Sequence, residues 1–326
     1  MQSSSGPSSW RDPDPRGCVD LHMHTTASDG SESPRRLFEM ARDAGLRGIG
    51  FCDHDSIGSV REGRQLAREF GIEFMPGCEI GIAHDPERGL VEIDLLAYAY
   101  DPEHAELNET LARLREAKNE KLDGQLQVLA REGLPIPKDE VLAEAKGETI
   151  RRPHIFHVLR AHYPQIAPDV FYPNTDFGGA WYVPKRYSLT LEECVELVRR
   201  SGGVTVLSSP GSYNERFKKD RTLLDPAVDR LVETCARAGV EGLETIYTYD
   251  SNKPYFRSPA DTVSEDELGA LIDHFEGLAG RFGLIKTGGS DFHGTAKPQI
   301  RLGQAPVPFR YLEALRAAAR EGRSQD

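Results

Sequence analysis

The 326-residue chain has only five cysteines, Cys18, Cys52, Cys78, Cys194 and Cys235, and no two of them form a Cys-x-x-Cys pair. A disulfide framework and a cysteine-ligated zinc site are therefore not expected, and a reducing cytoplasm is the expected compartment. No run of about 18 or more apolar residues occurs, which excludes a helical membrane span from the sequence pattern. Positive charge is also in deficit. Forty Lys and Arg stand against 52 Asp and Glu, for a net charge of -12. A broad basic face for duplex nucleic acid is not expected, whereas a small anionic ligand stays open because bound cations invert a local potential. The opening stretch, residues 1–17, is rich in Ser and Pro and lacks the basic-then-apolar order of a secretory signal; it reads as a disordered tail.

What is present is an alternation of short apolar runs with amphipathic stretches, the pattern of βα units around a mostly parallel sheet or barrel. Strands are expected at 18–24, 47–53, 72–78, 91–97, 203–207, 240–245 and 283–287. Helices are expected near 58–70, 190–201, 226–238, 264–280 and 309–320, and one starts at Ser33-Pro34, an N-cap followed by proline at the first helical position. About seven strands suit an α/β fold of the imperfect barrel kind better than a doubly wound sheet. The barrel is expected over 18–103 and 188–326. Between them, 104–187 reads as a helical insertion, with helices at 104–132, 138–146 and 152–162. Its end, 166–187, is rich in aromatics, Gly and Pro and reads either as a lid or as an ordinary packing loop.

Metal-type ligands recur at the strand ends. His22 and His24, two apart, share a face of the first strand, and Asp291 and His293 share a face after the last. Asp29, the run Asp53-His54-Asp55, and Glu79 fall between them. A lone strand-end histidine is usually a polar residue satisfied by hydrogen bonds. Repetition at four strand ends instead points to one metal centre at the mouth of a barrel, since imidazole and carboxylate are the ligands that zinc, manganese and iron accept.

The runs Asp20-Leu21-His22-Met23-His24, Ser28-Asp29-Gly30, Asp53-His54-Asp55, Gly77-Cys78-Glu79-Ile80 and Gly289-Ser290-Asp291-Phe292-His293-Gly294 resemble the polymerase and histidinol phosphatase (PHP) family of metal-dependent phosphoesterases, from about residue 18 to 304. The likeness is to its branch of nucleotide phosphatases and short-RNA 5′-exonucleases, whose insertion carries an Arg-Pro-His like Arg152-Pro153-His154. The resemblance implies a distorted seven-stranded barrel. It also implies one metal ion on His22, His24, Glu79 and Asp291, and another on Asp29, His54 and His293. A third ion, bridged by Glu79, would need two more histidines. Asp94 and Ser209 stand in their places.

Both departures fall on one ion, so two divalent ions (Mn, Zn or Fe) are expected, with the third absent, weak or held partly by substrate. Two ions suffice for in-line phosphoester hydrolysis. Arg152 is expected to hold a phosphate and His154 to reach it or protonate a leaving oxygen, although Arg-Pro-His can also merely start a helix. Asp53 or Asp55 is expected to orient an imidazole. Lys297, after the closing motif, could meet an anion but is expected to be exposed, and His84, five residues after Glu79, could replace a lost ligand but is expected to be structural or exposed. The expected substrate is a nucleotide or short oligonucleotide. Two other readings fit the same residues, namely a relative recruited to another hydrolytic or iron-dependent reaction and a non-catalytic metal- or nucleotide-binding protein.

Overall fold

A computed structural model of the chain describes residues 10–323 apart from 13 and 146–149. All seven expected strands form: β1 (Cys18–Met23), β2 (Gly48–Phe51), β3 (Glu73–Gly81), β4 (Asp94–Tyr98), β5 (Val204–Leu207), β6 (Gly242–Tyr247) and β7 (Ile285–Gly289). An eighth, β8 (Val307–Pro308), pairs antiparallel to β1. Two residues are too short to show a period, so this strand is invisible in the sequence. The sheet order is β7-β6-β5-β4-β3-β2-β1-β8.

β4 runs antiparallel to both neighbours, the one reversal among the seven. The cause is the connection from β3, twelve residues with a single 3₁₀ turn at Pro86–Arg88, too slight for the helical crossover that parallel neighbours require. The reversal has a functional consequence: β4 delivers its first residue, Asp94, to the rim where the parallel strands deliver their last.

The barrel closes where β1 meets the chain after β7. Asp291 N–H donates to the His22 carbonyl at 2.8 Å and His24 N–H to the Phe292 carbonyl at 2.9 Å. Asp20 tightens the seam from beneath by accepting from Ser290 N–H (2.9 Å), Ser290 Oγ (2.6 Å) and Gly303 N–H (2.8 Å).

Helices α1 (Pro34–Asp43), α2 (Val60–Phe70), α7 (Leu191–Arg200), α9 (Pro226–Arg237) and α10 (Glu265–Phe282) cover the sheet, as their one-sided apolar pattern requires. Leu37, Leu66, Leu197, Leu231 and Leu271 pack with Ile49, Phe51, Leu95 and Leu243 of the strands. Helix α11 (Phe309–Arg323) packs against β1, β5 and β7. Its Leu312 and Leu315 join Val19, Leu21, Met75, Val206 and Ile246 in a second apolar cluster. Residues 1–9 and 13 of the expected tail lie outside the described residues, while Trp10 and Arg11 both bond Asp273 of α10, at 2.7 and 2.9 Å.

The insertion comprises α3 (Ala105–Arg131), α4 (Lys138–Ala145), α5 (Arg152–His162) and α6 (Pro168–Thr175), and residue 146 of the expected second helix lies outside the described residues. It has its own core of Leu122, Leu129, Val141, Leu159, Phe171 and Trp181. The aromatic segment thus divides its labour: Phe171 and Trp181 pack inside, whereas Tyr172 and Tyr182 line cavities.

The seam leaves no room at Gly289, where an added Cβ would stand 2.3 Å from His22 N. Gly289→Ala is expected to destabilise the fold by about 2 kcal/mol or more, read as the midpoint shift in urea unfolding.

Candidate metal centre

Each ligand candidate is delivered by the end of a strand or the loop just beyond it. His22 and His24 leave β1 on one face, and their Nε2 atoms lie 3.2 Å apart. His22 Nδ1 lies 2.9 Å from Oε1 of Glu244, a carboxylate fully buried on β6. Because an ionised carboxylate only accepts, His22 Nδ1 carries a proton, and a cation in the site would take the lone pair of Nε2 in place of the second proton. Glu244 also accepts from Ser209 N–H at 2.8 Å.

His24 Nε2 is 3.3 Å from Asp291 Oδ1 and 3.4 Å from Glu79 Oε2. Tyr247 Oη and Lys297 Nζ, each at 2.6 Å, occupy Oδ2 of Asp291 and leave Oδ1 for the centre. On the far side, Asp29 Oδ1 stands 3.5 Å from His24 Nδ1 and 3.4 Å from His293 Nε2, while His54 Nε2 lies 3.8 Å from Oδ2. Asp29 Oδ1 is buried and makes no hydrogen bond.

These separations of 3.3 to 3.8 Å are too long for good hydrogen bonds, yet the groups are desolvated and aimed at one another. Two ligands each about 2.1 Å from a tetrahedral ion stand ~3.4 Å apart, so the spacing is that of ligands around cations. The donor set therefore fits divalent metal.

Among the described residues three groups of converging ligand atoms result: His22, His24 and Asp291; His24, Asp29, His54 and His293; and His54, Glu79 and Asp94. All eight residues expected as ligands are brought together, but His24 serves two groups and His54 joins the third. Near Glu79, the hydroxyl within reach is that of Ser208 (3.2 Å), while Ser209 meets Glu244 through its backbone. Asp55, Ser209 and Asp291 hold φ of 48°, 34° and 57°, left-handed values that cost non-glycine residues about a kilocalorie or more each and that cluster at functional rims.

The electrostatics carry the same message. Burial alone would keep His22 neutral, yet Glu244 and Glu79 hold its pKa well above the ordinary imidazole value. Burial opposes ionisation of Glu79, but His54, His22 and His24 hold it well below the carboxylate range. Asp94 is less well supported: burial, then the charge of Glu79, pushes it up to about 6 against the opposing pull of Arg151, Lys118 and Lys185. Burial, then Arg151, instead holds His54 well below the ordinary imidazole value, and burial, then His24, lowers His293, so both rings stay neutral and free to act as ligands.

Several side chains act differently from expectation. Asp53 accepts from Thr25 N–H, Thr25 Oγ1, Ser28 Oγ and Ser59 Oγ at 2.5 to 2.9 Å and so fixes the loop between His24 and Asp29. Asp55 pairs with buried Lys118 at 2.5 Å. Orientation of His22 falls instead to Glu244, whose signal in the sequence was an acidic residue inside the apolar run Gly242–Tyr247. Lys297 is an Asp291 partner. His154 Nδ1 lies 3.1 Å from Arg151 N and so accepts that N–H, capping α5, while its ring borders a cavity of about 400 Å³ beside Asp29, His54 and His293. Arg152 pairs with Asp176 and Glu92. The guanidinium aimed at the ligands belongs to Arg151, whose Nε lies 3.7 Å from Asp29 Oδ2.

A PHP domain signature matches residues 20–202, more than half of the chain. The chain belongs to the PHP domain family. A 5′-3′ exoribonuclease of Haemophilus influenzae is 28% identical over 205 residues, 63% of this chain and 73% of that protein. A 3′,5′-nucleoside bisphosphate phosphatase of Chromobacterium violaceum is 26% identical over 277 residues, 84% of this chain and 87% of that protein. Among solved structures, a candidate metal-dependent phosphoesterase of Bifidobacterium adolescentis superposes with a TM-score of 0.72 at 28% identity, covering 94% of this chain and 97% of that one. Family, fold and donor set agree on a hydrolase of the metal-dependent phosphoesterase class.

Glu244→Gln keeps the shape but weakens the hold on His22. Divalent-metal affinity is expected to fall about 10- to 100-fold with the fold retained, measured by competition with a chromogenic chelator. Unchanged affinity would remove Glu244 from the centre.

Proposed function

We propose that the protein hydrolyses a phosphate ester of a nucleotide or short oligonucleotide with two divalent ions, and that a third ion is weak. The observation that carries this reading is the set of buried imidazole and carboxylate atoms that converge at 3.3 to 3.8 Å about His24 and Asp29. One ion would take His22, His24, Glu79 and Asp291, the other Asp29, His54 and His293. The third place offers His54, Glu79 and Asp94, with a carboxylate that resists ionisation.

Divalent ions held there supply Lewis acidity toward water and phosphoryl oxygen and neutralise charge in an in-line displacement. The chain's own residues do the rest. Arg151 and Lys297, both lining the cavity beside Asp29, direct fixed positive charge at a phosphate lodged there. Pro153 and His154 hold the start of α5 over the same cavity, and Tyr172 on its wall offers a ring for a base. Arg152, tied to Asp176 and Glu92, borders the site and orders the insertion against the barrel. The relatives named above act on RNA ends and on a nucleoside bisphosphate, which supports a small phosphorylated substrate. The excess of acidic residues at large disfavours long duplexes.

Protein purified without chelator is expected to carry about two ions per chain by elemental analysis and to turn over p-nitrophenyl phosphate or a nucleotide panel. EDTA should abolish turnover and Mn²⁺ restore it. His24→Ala, which removes a ligand from two groups, should lower kcat by at least about a hundredfold. Metal-free protein with full activity would overturn the reading. Iron without phosphatase turnover would support a recruited function, and nucleotide binding without turnover a non-catalytic one.

A further inference from the structure

Residues of α2 and α3 wall a groove of about 490 Å³ on the flank of the barrel. Its charged lining is four arginines, Arg61, Arg64, Arg68 and Arg115, against one acid, Glu103. In a chain with a net charge of -12 this is a local inversion of sign. One end, at Ile57 and Gly58, lies behind the loop that carries His54, and the other, at Pro102 and Glu103, follows β4 at the opposite end of the barrel. No residue of the groove lines the cavity beside Asp29, His54 and His293, so it is separate from the metal centre.

Charge is sorted across α2. Arg61, Arg64 and Arg68 fall at i, i+3 and i+7 and form one stripe about 10 Å long on the side toward α3. The acids of the same helix serve α1 instead: Glu69 pairs with Arg35 at 2.7 Å, and Glu62 adds its charge beside the same Arg35. Elsewhere on the surface, Arg88 pairs with Glu192 at 2.7 Å and Arg200 with Glu106 at 2.6 Å. Among the described residues Arg61, Arg64 and Arg68 have no acidic side chain within 4.0 Å. Like charges on one stripe weaken a helix, and Arg61 stands in the first turn, where the helix dipole disfavours a cation. The fourth arginine reaches across from α3: Arg115 Nη1 donates to the Asp55 carbonyl at 2.8 Å, which fixes the direction of its guanidinium. Gln65 adds an amide to the wall, no aromatic side chain lines the groove, and Val60 and Leu111 at its floor are buried.

We propose that this groove binds a linear oligophosphate, a row of linked phosphoryl groups held by the guanidinium groups of Arg61, Arg64, Arg68 and Arg115. A guanidinium fork meets phosphate oxygens two at a time, and a stripe of forks fits a ligand whose charges repeat along a line. With no ring to stack a base and little apolar surface to cover a nucleoside, the phosphate chain is the part recognised. The site needs no metal and stands whether or not the protein hydrolyses phosphate esters.

Calorimetric titration of the full chain in EDTA with tripolyphosphate tests this. Binding is expected at the groove, weaker at higher salt, and Arg64→Gln with Arg68→Gln, both exposed, should lower the affinity about tenfold or more while the urea-unfolding midpoint does not fall. Lys218→Met with Lys219→Met, exposed lysines on helix α8 (Glu215–Asp220), removes the same charge elsewhere and should change the affinity less than about twofold. Adenosine 5′-triphosphate should bind no more tightly than tripolyphosphate, and hexaglutamate about tenfold more weakly or worse. Equal affinity in the arginine double variant, or a loss produced instead by Lys121→Met with Lys185→Met in the cavity beside Asp94, would overturn the proposal by placing the anion elsewhere. Adenosine 5′-triphosphate binding more tightly would overturn recognition of the phosphate chain alone. Hexaglutamate binding as tightly would make the groove a docking face for an acidic protein segment and overturn it as a phosphate site.

Discussion

Two main-chain hydrogen bonds, from Asp291 N–H to the His22 carbonyl and from His24 N–H to the Phe292 carbonyl, join the first strand of the barrel to the last. Every ligand group that includes His24 depends on them. Without that seam His22 and His24 would lose Asp291 and His293, which lie more than 260 residues away in sequence. The seam is braced by Asp20 below and by the absence of any side chain at Gly289, and Asp291 adopts a left-handed backbone to pass through it. Packing energy from two apolar clusters thus holds a strained turn in place, and that turn sets the geometry of the rim.

The seam also creates an electrostatic problem. It buries Asp29, Glu79, Asp291 and, one layer deeper, Glu244 in a volume from which water is largely excluded. Such carboxylates stay ionised only beside positive charge. His22, Arg151 and Lys297 supply part of it, and cations at the ligand groups would supply the rest.

Much of this was legible in the sequence because barrel strands put their functional residues at one end. His22, His24, His54, Glu79 and Asp291 each follow a short apolar run, so order and spacing alone brought them to one rim. Asp94 was harder. It stands at the start of its strand, and only the antiparallel course of β4 brings that start to the rim. Glu244 was hidden inside an apolar run, where an acidic residue reads as a blemish in the pattern until His22 is seen opposite it. Arg152 carried the motif resemblance, yet the turn of the backbone at the start of α5 sends Arg151 inward and Arg152 toward Asp176. A shift of one residue decides which guanidinium meets the site, and no periodicity records it.

Where cations sit around His24 decides whether this is a two-metal hydrolase. Crystals of the full chain soaked in Mn²⁺ and measured at the manganese absorption edge give that answer directly. The account predicts two strong anomalous peaks, one between His22, His24 and Asp291 and one between Asp29, His54 and His293, with a weaker peak or none beside Asp94. A single peak elsewhere, or no ordered manganese within reach of His24, would contradict it.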